Sequence, residues 1–180
     1  TAGPGTESAL RDELSELGFR SARLNRGGIP FFGEWEDGWR ACLETRLGQR
    51  VMVVLGRFPA RDLQQLYDGA HELPWLDVIT PQHTFAVAAY AHESCGENPN
   101  FVALKVKDAI VDSMRDQLGQ RSSVSKDDPD LRVFVYWARE KATVYLDLSG
   151  EPLFKRGYRQ AGGEAPIKET LAAAVLRMSG

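Results

Sequence analysis

The segment from Glu151 to Arg159 (Glu-Pro-Leu-Phe-Lys-Arg-Gly-Tyr-Arg) combines residue types that suit a nucleic acid ligand. Lys155, Arg156 and Arg159 can neutralise phosphates, and Tyr158 offers a ring that can stack on an unpaired base. Basic residues interleaved with an aromatic residue, directly after a predicted strand, favour single-stranded or looped RNA over duplex readout. A solvated surface turn whose tyrosine fills the core is the alternative, and this segment alone leaves both interpretations open.

No motif for catalysis, metal binding or nucleotide binding stands out elsewhere in the sequence. The chain has no Walker-type loop, no His-Glu-x-x-His and no Gly-x-Ser-x-Gly. The Gly-Pro-Gly of residues 3–5 lacks a third glycine, and the aspartates of residues 127–130 favour a turn over a metal site. Cys42 and Cys95 are not part of a Cys-x-x-Cys pair, so we expect free thiols in a reducing compartment. The sequence therefore predicts neither a metal nor a cofactor in this chain.

Composition and charge are those of an ordinary globular protein with a local basic bias. The chain has 180 residues, of which 43% are hydrophobic and 26% charged, and its formal net charge is -3. Residues 1–100 carry nine Lys/Arg against fourteen Asp/Glu, whereas residues 101–160 carry eleven against nine. No apolar run approaches the roughly 20 residues of a membrane helix. We expect a cytoplasmic protein without a membrane partner. Any polyanion that it binds should contact a local basic patch, because the net charge of the whole chain is negative.

The first sixty residues predict a ferredoxin-like α+β unit. In order, the pattern predicts a helix over 6–18, two extended runs over 19–25 and 28–32 that form a hairpin, a helix over 34–47 and a buried strand over 49–58. Trp35 and Trp39, four residues apart on the second helix, are expected in the core. Pro59 and Ala60 mark the predicted boundary of this unit.

A second α/β unit is predicted from about residue 61. Its elements are a short helix over 63–67, a strand over 84–90, a helix over 101–118 and a hairpin of strands 132–137 and 143–148. Asn100 is expected to cap the long helix at its start, and Gly119 is expected to end it.

Four stretches together resemble the N-terminal part of the bacterial large-subunit ribosomal RNA guanine-N2 methyltransferases, a family with a THUMP RNA-binding domain. They are residues 104–112 (Leu-Lys-Val-Lys-Asp-Ala-Ile-Val-Asp), 126–133 (Lys-Asp-Asp-Pro-Asp-Leu-Arg-Val), 146–159 and 165–180. The resemblance implies a ferredoxin-like N-terminal subdomain over 1–60, a THUMP domain over 61–160 and a linker or helix over 161–180. That last piece would lead into a Rossmann-like catalytic domain that uses S-adenosylmethionine.

The resemblance also implies which residues bind RNA and what this chain lacks. The cofactor loop and the Asn-Pro-Pro-Tyr-type motif of the family have no counterpart here, so the chain is expected to lack the catalytic domain and to be inactive alone. Phe154 replaces a histidine that is usual in the family, and Ser125 an aspartate. RNA binding carries over to these residues: Lys155, Arg156, Tyr158, Arg159 and, less directly, Lys105, Lys126 and Arg132.

Three functions remain open from the sequence. The first is the RNA-binding module of an S-adenosylmethionine-dependent ribosomal RNA methyltransferase, with large-subunit ribosomal RNA and its own C-terminal methyltransferase domain as partners. The second is the same module serving transfer RNA methylation or thiolation. The third is a protein-interaction scaffold whose basic strip packs on a catalytic domain or an acidic partner; salt dependence of RNA binding separates it from the other two.

Overall fold

The chain divides into two compact units in the computed structural model, which describes residues 1–19, 23–125, 127–157 and 166–179. One unit contains Thr1–Met52 and Glu151–Gly180, and the other contains Val53–Gly150. In the described residues the helices are α1 (Glu7–Glu16), α2 (Trp35–Glu44), α3 (Leu63–His71), α4 (Pro99–Leu118) and α5 (Glu169–Ser179). The strands are β1 (Met52–Pro59), β2 (Thr84–Ala91), β3 (Ser123–Val124), β4 (Leu131–Ala138) and β5 (Lys141–Asp147). The predicted α+β class is confirmed.

The first unit has a small core beneath α1. Leucines and alanines of α1 pack with single residues from the rest of the unit, and the buried set is Ala2, Ala9, Leu10, Leu14, Phe19, Ile29, Ala41, Leu47 and Ala174. The hairpin expected over 19–32 is reduced, among the described residues, to one isolated bridge between Asn25 and Gly28. Gly27 has a φ of 80°, which only glycine adopts readily.

The expectation that Trp35 and Trp39 fill the core is wrong. Their exposed fractions are 40% and 53%. Helix α2 instead buries Gly38 and Ala41, because these small residues let the helix backbone approach the core closely. The side chains of Trp35 and Trp39 consequently lie on the exposed side of α2.

The second unit is built on a five-stranded sheet in the order β1-β5-β4-β2-β3. Strand β2 runs parallel to β3 and β4, and β4 pairs antiparallel with β5. The strand expected over 49–58 is β1, at one edge of this sheet. The predicted β4–β5 hairpin is confirmed, and its two turn residues, Arg139 and Glu140, have φ values of 51° and 59°. Positive φ at both positions is typical of the tight turn that matches the twist of a hairpin.

Helices α3 and α4 bury one face of that sheet. The apolar side of α4, with Val102, Val106, Ile110 and Met114, packs against alternate strand residues in one core. The strand contribution includes Phe85, Val133, Val135, Trp137 and Val144. Inside this core the indole N–H of Trp137 donates to the Ala60 carbonyl oxygen at 2.7 Å, so the residue that follows β1 is fixed to the centre of the sheet.

Helix α4 starts two residues earlier than expected. Asn98, not Asn100, is its N-cap, and the Asn98 side chain accepts from the Asn100 N–H at 2.8 Å. Pro99 then occupies the first helical position, where a missing N–H costs nothing. Gly119 ends the helix as predicted, with a φ of 67°. Neither α4 nor another helix in the described ranges combines the length and apolar character needed to cross a bilayer.

The Trp137 hydrogen bond predicts a specific loss of stability. Trp137→Phe leaves the Ala60 carbonyl without its donor and opens a cavity, so the free energy of unfolding should fall by about 1–3 kcal/mol. Trp39→Phe, the same change at an exposed site, should stay within about 0.5 kcal/mol of the wild type. Urea unfolding followed by circular dichroism measures both, and equal effects at the two sites would contradict this account of the core.

Candidate nucleic-acid interface

Arg156 is engaged with the backbone at the end of α2. Its guanidinium donates to the carbonyl oxygens of Leu43 (2.8 Å), Cys42 (2.8 Å) and Thr45 (2.6 Å), and its Nε–H donates to that of Leu153 at 3.1 Å. The last carbonyls of a helix lack intrahelical donors and carry a partial negative charge. A guanidinium supplies both the missing N–H donors and a compensating positive charge. Arg156 therefore holds its own segment against the end of α2.

Glu13 holds the same loop through its N–H groups. Its buried carboxylate accepts from the Thr45 hydroxyl at 2.6 Å, the Arg46 N–H at 2.9 Å and the Leu47 N–H at 3.3 Å. The sequence analysis did not single out this residue. The available signal was its position one residue before Leu14, on the apolar side of α1, where a charge needs partners.

Lys155 is a more accessible cation than its neighbour. Its ammonium group forms an ion pair with Glu151 at 2.8 Å, with exposed side-chain fractions of 57% and 59%. Because such exposed pairs contribute little, the ammonium group can exchange the carboxylate for a phosphate. The predicted contacts Tyr158, Arg159 and Lys126 lie outside the described residues.

Lys105 lies among carboxylates on the helix layer. Its Nζ is 4.8 Å from the centroid of the Tyr67 ring, and the Tyr67 hydroxyl donates to Asp112 at 2.8 Å. That hydrogen bond, followed by burial and by the charges of Asp112, Asp116 and Asp108, raises the pKa of Tyr67 to about 12. Lys105 thus contacts a ring whose hydroxyl group is hydrogen-bonded to a carboxylate.

Arg132 lies on the opposite side of the second unit. It belongs to β4, between Ala86 of β2 and Asp147 of β5 in the sheet register. Val133, the next residue, is buried beneath the helices, and successive strand residues point to opposite faces. Arg132 therefore points away from α3 and α4, and the structure does not bring it together with Lys105.

Among the aspartates of residues 127–130, Asp130 connects the start of β4 to the start of β2. The Asp130 carboxylate accepts from the Thr84 N–H at 2.7 Å and from its hydroxyl at 2.8 Å. These two bonds, backbone first, lower the pKa of Asp130 below its ordinary value of 3.8. No group of three or more metal-ligating side chains occurs in the part of the chain that the structure describes.

The described residues do not fit S-adenosylmethionine. A nucleotide-type cofactor loop is glycine-rich and connects a strand directly to a helix. Strand β1 is followed by Ala60, Arg61 and Asp62 before α3, and β2 is followed by residues 92–98, where Gly96 is the only glycine.

Comparisons with known proteins give two domain matches and a set of similar chains. Residues 1–52 match the RlmL ferredoxin-like domain, and residues 60–147 match the THUMP domain. A ribosomal RNA large subunit methyltransferase K/L from Allochromatium vinosum is 45% identical over 173 residues, which are 96% of this chain and 24% of that protein. The chain thus spans about a quarter of the length of this relative.

Two solved structures extend the similarity to the fold. One is described as a predicted N6-adenine-specific DNA methylase from Listeria monocytogenes; it has 31% identity and a TM-score of 0.87 over 98% of this chain and 46% of its own. The other, TrmN from Thermus thermophilus, has 26% identity and a TM-score of 0.78 over 99% of this chain and 52% of its own. Both are similar in sequence as well as in fold.

The contacts of Arg156 predict that it supports the fold. Arg156→Ala should lower the free energy of unfolding by about 1–3 kcal/mol because carbonyls at the end of α2 lose their donors. Arg156→Lys should not restore it, since one ammonium cannot reproduce the planar fork, and Lys155→Ala should change it by less than about 0.5 kcal/mol. Urea titration measures all three. An Arg156→Ala variant with wild-type stability and weakened RNA binding would make Arg156 a phosphate contact instead.

The Asp130 contacts predict a pH-dependent contribution to stability. A carboxylate whose pKa is lowered in the folded state stabilises it above the ordinary pKa of 3.8, and the contribution disappears as the pH falls through the lowered value. Asp130→Ala should therefore lower the melting temperature at neutral pH, and the difference from the wild type should shrink below that ordinary value. Thermal melts across this range measure it, with Asp128→Ala as the exposed control. A constant difference down to the lowest pH would refute the assignment.

Proposed function

Because this chain belongs to the THUMP-containing family of ribosomal RNA large subunit methyltransferases K/L, we propose that it is the RNA-binding module of such an enzyme. The module would hold large-subunit ribosomal RNA for guanine-N2 methylation by a catalytic domain elsewhere in the protein. The observation that carries the proposal is the THUMP match over 60–147, directly after the ferredoxin-like match over 1–52. The domain division proposed is 1–60, 61–160 and a lead-in over 161–180.

The contribution of this module is positioning. The described residues offer cations such as Lys155 and contacts that fix the backbone, such as those of Arg156. Holding the RNA beside a bound methyl donor removes translational and rotational freedom before the exocyclic nitrogen attacks the methyl group. A guanine within a paired stem would also have to leave the stem, and a firm grip on flanking nucleotides offsets part of that cost.

The RNA contacts that we propose are those implied by the family resemblance. One of these residues, Arg156, is proposed to have a structural role. Lys155, Tyr158, Arg159, Lys105, Lys126 and Arg132 are proposed as direct contacts. Arg156, whose donors are used at the end of α2, is proposed to fix the segment that carries Lys155. Within the described residues Cys42 and Cys95 form no disulfide, which is compatible with the cytoplasmic location that is part of this proposal.

A salt-dependent RNA titration tests the proposal. Fluorescent hairpins from large-subunit ribosomal RNA and a full transfer RNA are titrated with the 180-residue chain at several salt concentrations, with a heparin fragment of similar charge as control. We expect a preference for one ribosomal hairpin and a steep linear fall of log K with log salt concentration, because each neutralised phosphate releases counterions. Preference for transfer RNA would redirect the function to transfer RNA modification, and absence of binding to every RNA would contradict it.

A further inference from the structure

The sheet of the second unit has a face that the helices do not use. Residues Val133, Val135 and Trp137 of β4 point into the core with α3 and α4. Their neighbours along the strand point to the other side, together with their partners in β2 and β5. We define the open sheet face by the residues on that side: Arg57, Ala86, Ala88, Tyr90, Arg132, Phe134, Tyr136, Ala138, Lys141, Thr143, Tyr145 and Asp147, whose carboxylate is buried.

Aromatic rings lie in two rows across the open sheet face. Tyr90 and Tyr136 are register partners, and their rings stack with centroids 5.2 Å apart and planes 8° apart. Their exposed fractions are 46% and 43%. In the next row Phe134 and Tyr145, also register partners, have ring centroids 6.4 Å apart. Large aromatic rings held rigidly in water expose apolar area at a cost, and grouped rings of this kind mark a binding surface.

Two cations at the β1–β5 side complete the open sheet face. Phe58 packs against Gly69 of α3, since a Cβ added to Gly69 would lie 2.2 Å from its ring. The preceding residue, Arg57, therefore points to the open side and is exposed. Lys141, opposite Ala138 in the β4–β5 register, is exposed there too. Among the described residues no carboxylate lies within salt-bridge distance of either cation.

The helix layer offers the reverse arrangement. Two of its cations are already paired with carboxylates of the same helix: Lys107 with Asp108, and Arg115 with Asp112. A polyanion that approaches α4 would have to displace these carboxylates or accept their repulsion. Charge complementarity therefore favours the open sheet face for a ligand that combines phosphates with flat rings.

We propose that unpaired bases of the RNA stack on the exposed ring pair Tyr90 and Tyr136 while Arg57 and Lys141 contact the flanking phosphates. The proposal rests on the proposed function and specifies the place and the kind of nucleotide that are bound. Every base has a π-face, so an aromatic pair accepts an unpaired nucleotide whatever its sequence. Bases inside a duplex are stacked on each other and cannot reach the rings, so the open sheet face selects loops and single strands.

Two double variants distinguish the contribution of the tyrosine rings to RNA binding from that of their hydroxyl groups. Tyr90→Leu/Tyr136→Leu keeps an apolar side chain and removes both rings; Tyr90→Phe/Tyr136→Phe keeps the rings and removes both hydroxyls. Phe101→Leu, at an exposed aromatic residue near the start of α4, is the matched control on the helix layer. Fluorescence anisotropy gives Kd for a single-stranded RNA decamer, a ten-base-pair RNA duplex and the ribosomal hairpin.

The leucine variant should bind the decamer and the hairpin roughly tenfold or more weakly than the wild type, with the same salt slope. The phenylalanine variant and Phe101→Leu should bind within about twofold of it, because both keep the stacked pair. Arg57→Gln/Lys141→Gln should instead flatten the salt slope for the decamer by about 1.4. Thermal melts accompany each variant, and single leucine variants replace the double one if its melting temperature falls.

The outcomes distinguish this inference from the function on which it rests. Wild-type hairpin affinity in the leucine variant would overturn the inference and leave the proposed function in place. Equal affinity of the wild type for decamer and duplex would overturn the preference for unpaired bases. Failure of the wild-type chain to bind every RNA tested would overturn both.

Discussion

The alternation of side chains along β2, β4 and β5 is the constraint on which the second unit depends. Every second residue of these strands must be apolar and buried beneath α3 and α4. The buried residues include Phe85, Val133, Val135 and Val144. A slip of one residue would move every apolar side chain out of the core. The same constraint fixes the residues between them on the other face, so Tyr90, Tyr136 and Arg132 share one surface as a consequence of core packing.

In the first unit the end of α2 is the feature that organises the surrounding chain. Glu13 accepts from the loop on one side, and Arg156 donates to its carbonyls on the other. Together they connect α1, α2 and the segment after residue 150 through groups that would otherwise lack partners. Within the basic run, Arg156 is thus a structural residue that fixes its own segment against the end of α2.

Much of the architecture could be predicted because it follows from local periodicity. The α4 helix with its glycine end, the β4–β5 hairpin and the α1 helix came from apolar spacing and stop residues, and the family resemblance is confirmed by the ferredoxin-like and THUMP matches. The ferredoxin-like and THUMP parts of the predicted fold class are confirmed with it. Cap choice failed at Asn98 because two asparagines flank a proline, and only Pro99 at the first helical position decides between them.

Properties that depend on distant packing could not be predicted. The spacing of Trp35 and Trp39 is that of a buried helix face. In the structure, however, the buried face of α2 contains Gly38 and Ala41. The sequence of strand β2 is Thr-Phe-Ala-Val-Ala-Ala-Tyr-Ala. Its alanines give no clear alternation of apolar and polar residues, so the sequence does not show that Tyr90 lies on the exposed face. The separation of Lys105 from Arg132 required knowledge of which face the helices cover.

The central claim is that the unpaired bases of the RNA stack on the open sheet face and not on the helix layer. Photo-cross-linking of the wild-type chain to a hairpin with 5-iodouridine in its loop, followed by mass spectrometry of the cross-linked peptides, tests this most directly because iodouracil reacts with aromatic rings stacked on it. The account predicts cross-links at Tyr90 and Tyr136, in peptides from β2 and β4. Cross-links confined to α3 and α4, for example at Tyr67 or Phe101, would contradict it.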